Sequence, residues 1–326
     1  MPIPKASDKL RSLFGWLLFS IALGVTILAL AAFIPGSWLC DLFSQFRLAY
    51  AVIQTVCLVN LLCLRCARLA LIVLSGLVIN GMPIGSLFLA DQSPSPGERQ
   101  TITILNFNSE FQHNDNYSLL EKIIDERNPD IIALVEINKK WLDAISSRTN
   151  GYQVKVTSLT GPGMALFSKF PIEHCKVQYF GKSHHPRIIA DLRVDKQLIH
   201  VVTVHPTTPK SDWGYKERNQ EFTLIKNELK EIATPKFLVG DLNCGPWSSE
   251  FAKFGEGGLR DSQQGFGPQP TWPARTGRII DGVPIPPTVP IDHVLVGKDV
   301  DVLERITGPA VGSDHLPVFV KVTIPK

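Results

Sequence analysis

Apolar residues crowd the first ninety positions of the chain and afterwards fall into short, punctuated runs. LFGWLLFSIALGVTILALAAFIPG, residues 13–36, carries no charge over 24 residues. At 1.5 Å of rise per residue, a helix of that length crosses a hydrocarbon core of roughly 30 Å, so it predicts a transmembrane helix. LAYAVIQTVCLVNLLCL (48–64) is about the length of one span, and LALIVLSGLVINGMPIGSLFLA (69–90) is uncharged although Asn80, Gly81 and Pro83 interrupt it. Three spans are expected before residue 90, with Asn80 as an interhelical hydrogen-bonding or kink residue.

Basic residues orient these spans. Lys5, Lys9 and Arg11 precede the first, Arg65 and Arg68 separate the second from the third, and the first loop holds only Arg47. The positive-inside rule then puts the N-terminus in the cytoplasm and everything after residue 90 outside: a multi-pass protein of an inner or cell membrane with an extracytoplasmic C-terminal domain. A cleaved signal peptide ending near Ala29-Leu30-Ala31 is the competing reading. It would leave two spans and the same orientation.

After DQSPSPGERQ (91–100), a Pro/Ser linker, one domain is expected from Thr101 to the C-terminus. TITILNFNS is β-branched and apolar, a strand. Ser118 with Glu121 reads as a capping box ahead of the helix LLEKIIDERNP, which Pro129 ends. DIIALVE has five consecutive apolar residues and then an acid, a strand buried on both faces that delivers Glu136 at its end. GMALFSKFPI and the pair RIIADLRV and LIHVVTVH read as further strands, the pair as a hairpin. Residues 213–232 repeat apolar positions at helical spacing, and KFLVG, PIDHVLVG and HLPVFVKVTI complete the strands. Two helices among many strands, some joined by short turns, indicate α/β layers rather than a strict alternation of strand and helix.

Charge divides along the same boundary. Residues 1–90 have six Lys/Arg against two Asp/Glu, and the remainder has 27 against 28, a net −1. That balance lacks the basic excess needed to grip long nucleic acid through many phosphates. Of six cysteines, only Cys175 and Cys244 lie in the C-terminal part, too few for a disulfide framework.

The polar residues at the ends of the predicted strands are Asn108, Glu136, His205, Asp241, Asn243, Asp292, Asp314 and His315. Strand ends gather at one sheet edge, so these side chains are expected to converge on one pocket. Carboxylate and amide oxygens without a Cys/His cluster suit Mg2+, Mn2+ or Ca2+ rather than zinc. Two histidines add acid/base and charge-neutralising capacity, and phosphoester hydrolysis by an activated water is the chemistry such a set supports.

ILNFN, PDIIALVE, VVTVHPTTP, VGDLN, IDHVLV and SDHLPVFV occur in the order and approximate spacing of the endonuclease/exonuclease/phosphatase, or DNase I-like, family, which residues 101–324 resemble. The resemblance implies a four-layer α/β sandwich of two packed mixed sheets flanked by helices, with the site at one loop edge. It implies Glu136 as the main metal ligand with Asn108 and Asp314 near the metal, while Asn106 stands where the family usually has Ser or Thr. Asp241 would orient or deprotonate the attacking water and Asn243 would hold a phosphoryl oxygen. His205 would contact phosphate or assist the leaving group. His315 would be the phosphate-binding acid/base, its tautomer fixed by Asp292, with Asp281 of RIID as a competing candidate for that role. Glu110 or Asp115 would stand in for an acidic ligand that some nuclease members use. The expected activity is metal-dependent hydrolysis of a phosphodiester, phosphomonoester or pyrophosphate. Its substrate would be a lipid-linked pyrophosphate, a phospholipid headgroup or, as an extracytoplasmic nuclease, nucleic acid. An inactive module that binds phosphorylated ligands is the alternative of another class.

Several features also have plain structural readings. Gly-Asp-x-Asn alone is usually an Asx-type turn. His184 and His185 read as an exposed loop, Arg187 and Arg218 equally as ion-pair or phosphate-binding residues, and Trp213, Trp247 and Trp272 as site rim or packing. Cys244 lacks the surroundings that would activate a thiol.

Overall fold

The computed structural model describes residues 6–89, 96–159, 161–181, 184–274 and 288–326; most of the linker and Asp281 lie outside them. Four helices come first: α1 (Ala6–Ala31), α2 (Trp38–Ser44), α3 (Arg47–Cys63) and α4 (Ala67–Ser86). Leu18, Ala22, Cys57, Leu61, Ala70 and Val73 form their shared core. Trp16, Val52, Val56, Val59, Leu71 and Val78 face outward, an apolar surface of the kind that hydrocarbon solvates. Helices α1 and α4 are each long and apolar enough to cross a membrane, whereas α2 and α3 make one candidate span only if taken together across a 63° bend. The second expected span is thus preceded by a separate short helix. Asn80 does bridge helices, accepting from Arg47 Nη1 (3.2 Å) and donating to Gln54 Oε1 (3.2 Å), while Gln54 donates to Thr26 Oγ1 (2.9 Å).

The C-terminal part runs β1 (Arg99–Asn108), α5 (Tyr117–Arg127), β2 (Ile131–Ile137), α6 (Lys139–Arg148), β3 (Gln153–Val156), β4 (Gly163–Ser168), β5 (Ile172–Phe180), β6 (His185–Val194), β7 (Gln197–Val204), α7 (Asp212–Lys230), β8 (Lys236–Asp241), β9 (Leu259–Asp261), β10 (Asp292–Gly297), β11 (Asp301–Thr307) and β12 (Val318–Pro325). The capping box is not formed: α5 starts at Tyr117 after Asn116, which carries no side-chain cap. An Asx turn, Asn116 N–H to Asn114 Oδ1 at 3.0 Å, leads into the helix two residues earlier than expected, and Glu121 instead pairs with Arg148 (3.4 Å). Asn128 closes α5 in the left-handed conformation just before Pro129.

Two six-stranded mixed sheets result, ordered β11-β12-β1-β2-β4-β3 and β5-β6-β7-β8-β10-β9. Their facing sides share one core, including Ile104, Ile131, Val135, Val201, Val239 and Val320. Helices α5 and α6 cover the outer face of the first sheet, with Leu120, Ile124, Trp141 and Ile145 packed on Phe107 and Leu134. Helix α7 covers the second through Phe222, Ile225 and Leu229. The order helix, sheet, sheet, helix is the expected four-layer sandwich.

Topology explains why polar strand ends meet. The parallel pairs are β1 with β2 and β7 with β8, one pair at the centre of each sheet. Their C-terminal ends therefore point the same way. Strands β10 and β12 run antiparallel to β8 and β1, which brings their N-terminal ends to the same edge, with Asp292 opposite Asp241 in register.

Trp141 is fully buried, meets Phe107 and Tyr117 edge-on, and donates from Nε1 to Asn114 O at 2.9 Å. Trp141→Ala is expected to cost about 3–5 kcal/mol and lower the unfolding temperature of this part by on the order of 10 °C. A calorimetric transition within a degree or two of the wild type would contradict that packing.

Candidate active site

Glu136 reaches the edge through a β-bulge between Val135 and Ile137, and takes φ +55° there. Ser109 Oγ and the Phe111 N–H both donate to its carbonyl, each at 2.8 Å, and hold the bulge in place. Asp241 ends β8 behind Gly240, where an added Cβ would lie 1.9 Å from Val204 O; only glycine lets β8 and β7 approach there. The Asn243 N–H donates to Asp241 Oδ1 at 2.8 Å, with Asn243 at φ +50°. Gly-Asp-Leu-Asn is therefore an Asx turn, and it is also the turn that carries two of the converging residues.

The side chains form one network. Asn108 Nδ2 donates to Glu136 Oε1 and to Asp241 Oδ2, both at 3.1 Å, while its Oδ1 accepts the Glu110 N–H at 3.0 Å. In this arrangement Asn108 spaces two carboxylates, and the oxygen a cation would need is already engaged. His205 Nε2 lies 3.5 Å from Glu136 Oε1 and 3.5 Å from Asp241 Oδ2. His315 Nδ1 bonds Asp292 Oδ2 at 2.8 Å, and its Nε2 faces Asp241 (3.8 Å) and Asp314 (3.9 Å). Asp314 Oδ2 accepts from Trp272 Nε1 at 3.1 Å, and the Asp314 N–H donates to Glu110 Oε2 at 3.1 Å.

Electrostatics follow from this packing. Burial opposes the charge of His315, but Asp292 and Asp241 push its pKa up to about 10. Burial likewise opposes charge on Asp241, yet hydrogen bonding to His205 and the His315 charge bring it down to about 2. His205 is raised against its burial by Asp241 and Glu136. Cys244 is fully buried, and that burial pushes its thiol up to about 12. A thiolate nucleophile is excluded there.

A cavity of about 410 Å³ opens onto Glu136, Asp241, Asn243, Asp314 and His315, with Glu110 on its wall. Asn108, His205 and Asp292 stand behind these. Glu136 and Asp314 are the more open carboxylates, with side chains 27% and 30% exposed. Asp241, Asp292 and His315 also cluster within 4.8 Å, but Asp292 is fully buried and its Oδ2 already binds His315. Within that trio only Asp292 and His315 are hydrogen-bonded, His315 Nε2 standing 3.8 Å from Asp241 Oδ2, and the cavity-facing oxygens of Glu136 and Asp314 are the better cation donors. Carboxylates outnumber imidazoles here, an excess that a hard oxygen-ligated divalent cation would balance, so the residues present fit such an ion.

Other candidates fall elsewhere. Asp115 lines a different hollow, beside Lys139 and Lys140. Arg187 pairs with Glu228 at 2.7 Å and Arg218 with Asp41 at 3.0 Å, both buried structural ion pairs. Trp213 is exposed, and Trp247 donates to Pro83 O of α4 at 3.1 Å, outside the cavity. Asn106 is buried, with Nδ2 3.5 Å from His293 O. His184 is exposed as expected, but His185 is not: its Nδ1 meets the His205 carbonyl at 2.9 Å. His293 was not foreseen; its Nε2 bonds the Cys244 carbonyl at 2.9 Å and braces the turn from behind. Nothing in one sequence signals such contacts, because the partners are remote along the chain.

No curated protein sequence matches the chain. Solved structures do share its fold. TDP2 of D. rerio, complexed with a single-strand DNA product, is 16% identical with a TM-score of 0.60, covering 68% of this chain and 99% of that one. An endonuclease/exonuclease/phosphatase family protein of Bacteroides thetaiotaomicron is 17% identical (TM-score 0.56; 70% and 96% covered). A mannosyl-6-phosphatase of the same species is 15% identical (TM-score 0.55; 68% and 99%). The endonuclease/exonuclease/phosphatase family model matches residues 105–315, well over half of the sequence, and the chain belongs to that family.

Proposed function

We propose that the protein is a membrane-anchored, divalent-cation-dependent phosphoester hydrolase that acts on a lipid-linked phosphoester at the extracytoplasmic face of the membrane. One observation carries this reading: the cavity that holds Glu136, Asp241, Asp314 and His315 is walled on another side by Trp38, Leu42 and Phe46, from the helical region that precedes the catalytic fold. A phosphate placed among the polar groups would have its apolar substituent against side chains adjoining the membrane spans. A polyprenyl pyrophosphate or a phospholipid has that composition.

Glu136 and Asp314 are the residues that would hold Mg2+, Mn2+ or Ca2+, whose charge would offset that of the phosphoryl oxygens, and Asn108 would space Glu136 from Asp241. Asp241, which lines the cavity between His205 and His315, would orient or deprotonate the attacking water in line with the scissile bond. His315, its Nδ1 held by Asp292, presents an Nε2–H to the phosphoryl group. Asn243 lines the cavity as a further donor, and His205, behind it, faces Glu136 and Asp241. Asn243 spends one of its amide hydrogens on Pro206 O (3.2 Å) and keeps another.

Nuclease activity is the second reading, favoured by one neighbour in fold that was solved with a DNA product. The net −1 charge of residues 91–326 counts against it. An inactive binding module of the same fold would keep phosphate affinity without turnover.

The full chain in nanodiscs should hydrolyse a polyprenyl pyrophosphate or phospholipid faster than plasmid, single-stranded DNA or a soluble phosphodiester, and EDTA should stop it. Asp241→Ala and His315→Ala should each lower turnover by at least about 10²-fold. Absence of Mg2+-dependent turnover on every substrate would leave the binding module. Leu42→Ser should raise KM for the lipid substrate several-fold and leave a soluble phosphodiester unaffected; equal effects on both would remove the lipid reading. A reporter fused after Pro96 should be active only outside the cytoplasm, and cytoplasmic activity alone would reverse the orientation.

A further inference from the structure

Helix α2 and the two residues after it serve both the cavity and the turn that follows Asp241. Trp38, Leu42, Gln45 and Phe46 line the cavity, while Asp41 and Gln45 also make polar contacts with that turn. Arg218 of α7 is fully buried, with Nη2 on Asp41 Oδ2 at 3.0 Å and Nη1 donating to the Asn243 carbonyl at 3.0 Å. Ser248 Oγ donates to Asp41 Oδ1, and the Gly245 N–H donates to Gln45 Oε1. An added Cβ at Gly245 would lie 2.8 Å from that Gln45 oxygen, so a larger residue there would displace the Gln45 amide. Trp38 Nε1 also donates to Pro209 O at 2.8 Å, on the segment that follows His205.

The turn from Asn243 to Ser248 is therefore held directly at Gly245 and Ser248 by a segment that lies outside the family fold, and at Asn243 through Arg218 of α7, which that segment pairs. We propose that Asp41 and Gln45 are positioning residues for catalysis: α2 fixes the Asn243–Ser248 turn, so hydrolysis requires the membrane region to be docked. The region is then a working part of the active site as well as an anchor. This rests on the hydrolase reading for its kinetic consequence but not for its structural one. An ion pair serving only to attach the domains could lie anywhere on their interface. Here it converges on the backbone of the residue that follows Asp241 by two.

The test uses the full chain in nanodiscs with a soluble phosphodiester, which needs no apolar wall. Gln45→Ala removes one acceptor and leaves the ion pair. The double variant Asp41→Asn, Arg218→Leu removes both charges, so no buried cation is left unpaired. Each is expected to keep a native melting temperature and a KM within about twofold of wild type, while kcat falls at least about tenfold, as misplacement of a catalytic group does. Amide exchange across residues 243–248 should quicken at least about tenfold, with the rest of the domain unchanged. Reverting Gln45→Ala to Gln45→Glu, which restores an acceptor oxygen, should recover most of kcat. Wild-type kcat and wild-type exchange in both variants would overturn the proposal, even with Asp241→Ala inactive. An inactive wild type would defeat the hydrolase reading alone, since the exchange measurement still decides whether α2 holds the turn.

Discussion

Negative charge gathered at one edge of two sheets is the constraint on which the rest of the structure depends. Glu136, Asp241, Asp292, Asp314 and Glu110 lie around two imidazoles. At an effective dielectric constant near 20, each like-charged pair at 4 Å costs on the order of 4 kcal/mol. Such a set holds its shape only if the surroundings over-determine it. They do so by bracing the backbone: Glu136, Glu110 and Asn243 all take positive φ, a conformation that costs a non-glycine residue about 1–3 kcal/mol. The bonds from Ser109, Phe111 and Asp241 to these segments are what keep it populated.

Elements buried on both faces were legible because nothing else has their pattern. β2 and β8 each read as continuous apolar runs ending in an acid, and both are buried throughout or nearly so. β5 was not read. Its residues alternate irregularly between exposed and half-buried at the edge of the second sheet, so IEHCKVQYF has no clear period. β11 is an edge strand too, and α6 is a short helix whose two buried residues, Trp141 and Ile145, make too brief a stripe. The second expected span, 48–64, falls on α3, which makes a candidate span only together with α2 across a 63° bend, and Asp41 and Gln45 commit the α2 segment to polar contacts with the C-terminal part.

The site divides in the same way. Residues that follow or begin a strand were found by position, and topology brings them together. Trp272, expected as site rim or packing, does line the cavity and donates to Asp314, whereas contacts of other residues with remote backbone were missed: His185 on the His205 carbonyl and His293 on the Cys244 carbonyl. Asp41 and Arg218 are 177 positions apart, a distance over which one sequence has no means of pairing them.

That ion pair also bears on specificity. A buried pair gains little net stability over an apolar contact of equal volume, because desolvation consumes most of the Coulombic attraction. What it does well is set registry, since any rotation of α2 would leave Arg218 charged and unpaired in the interior. With Asp41 and Gln45 fixed on the turn, the neighbouring Trp38, Leu42 and Phe46 line the cavity. The polar contact and the apolar cavity wall thus belong to the same short segment. The turn after Asp241 and that wall both rest on it, so a shift of the segment would move the two together.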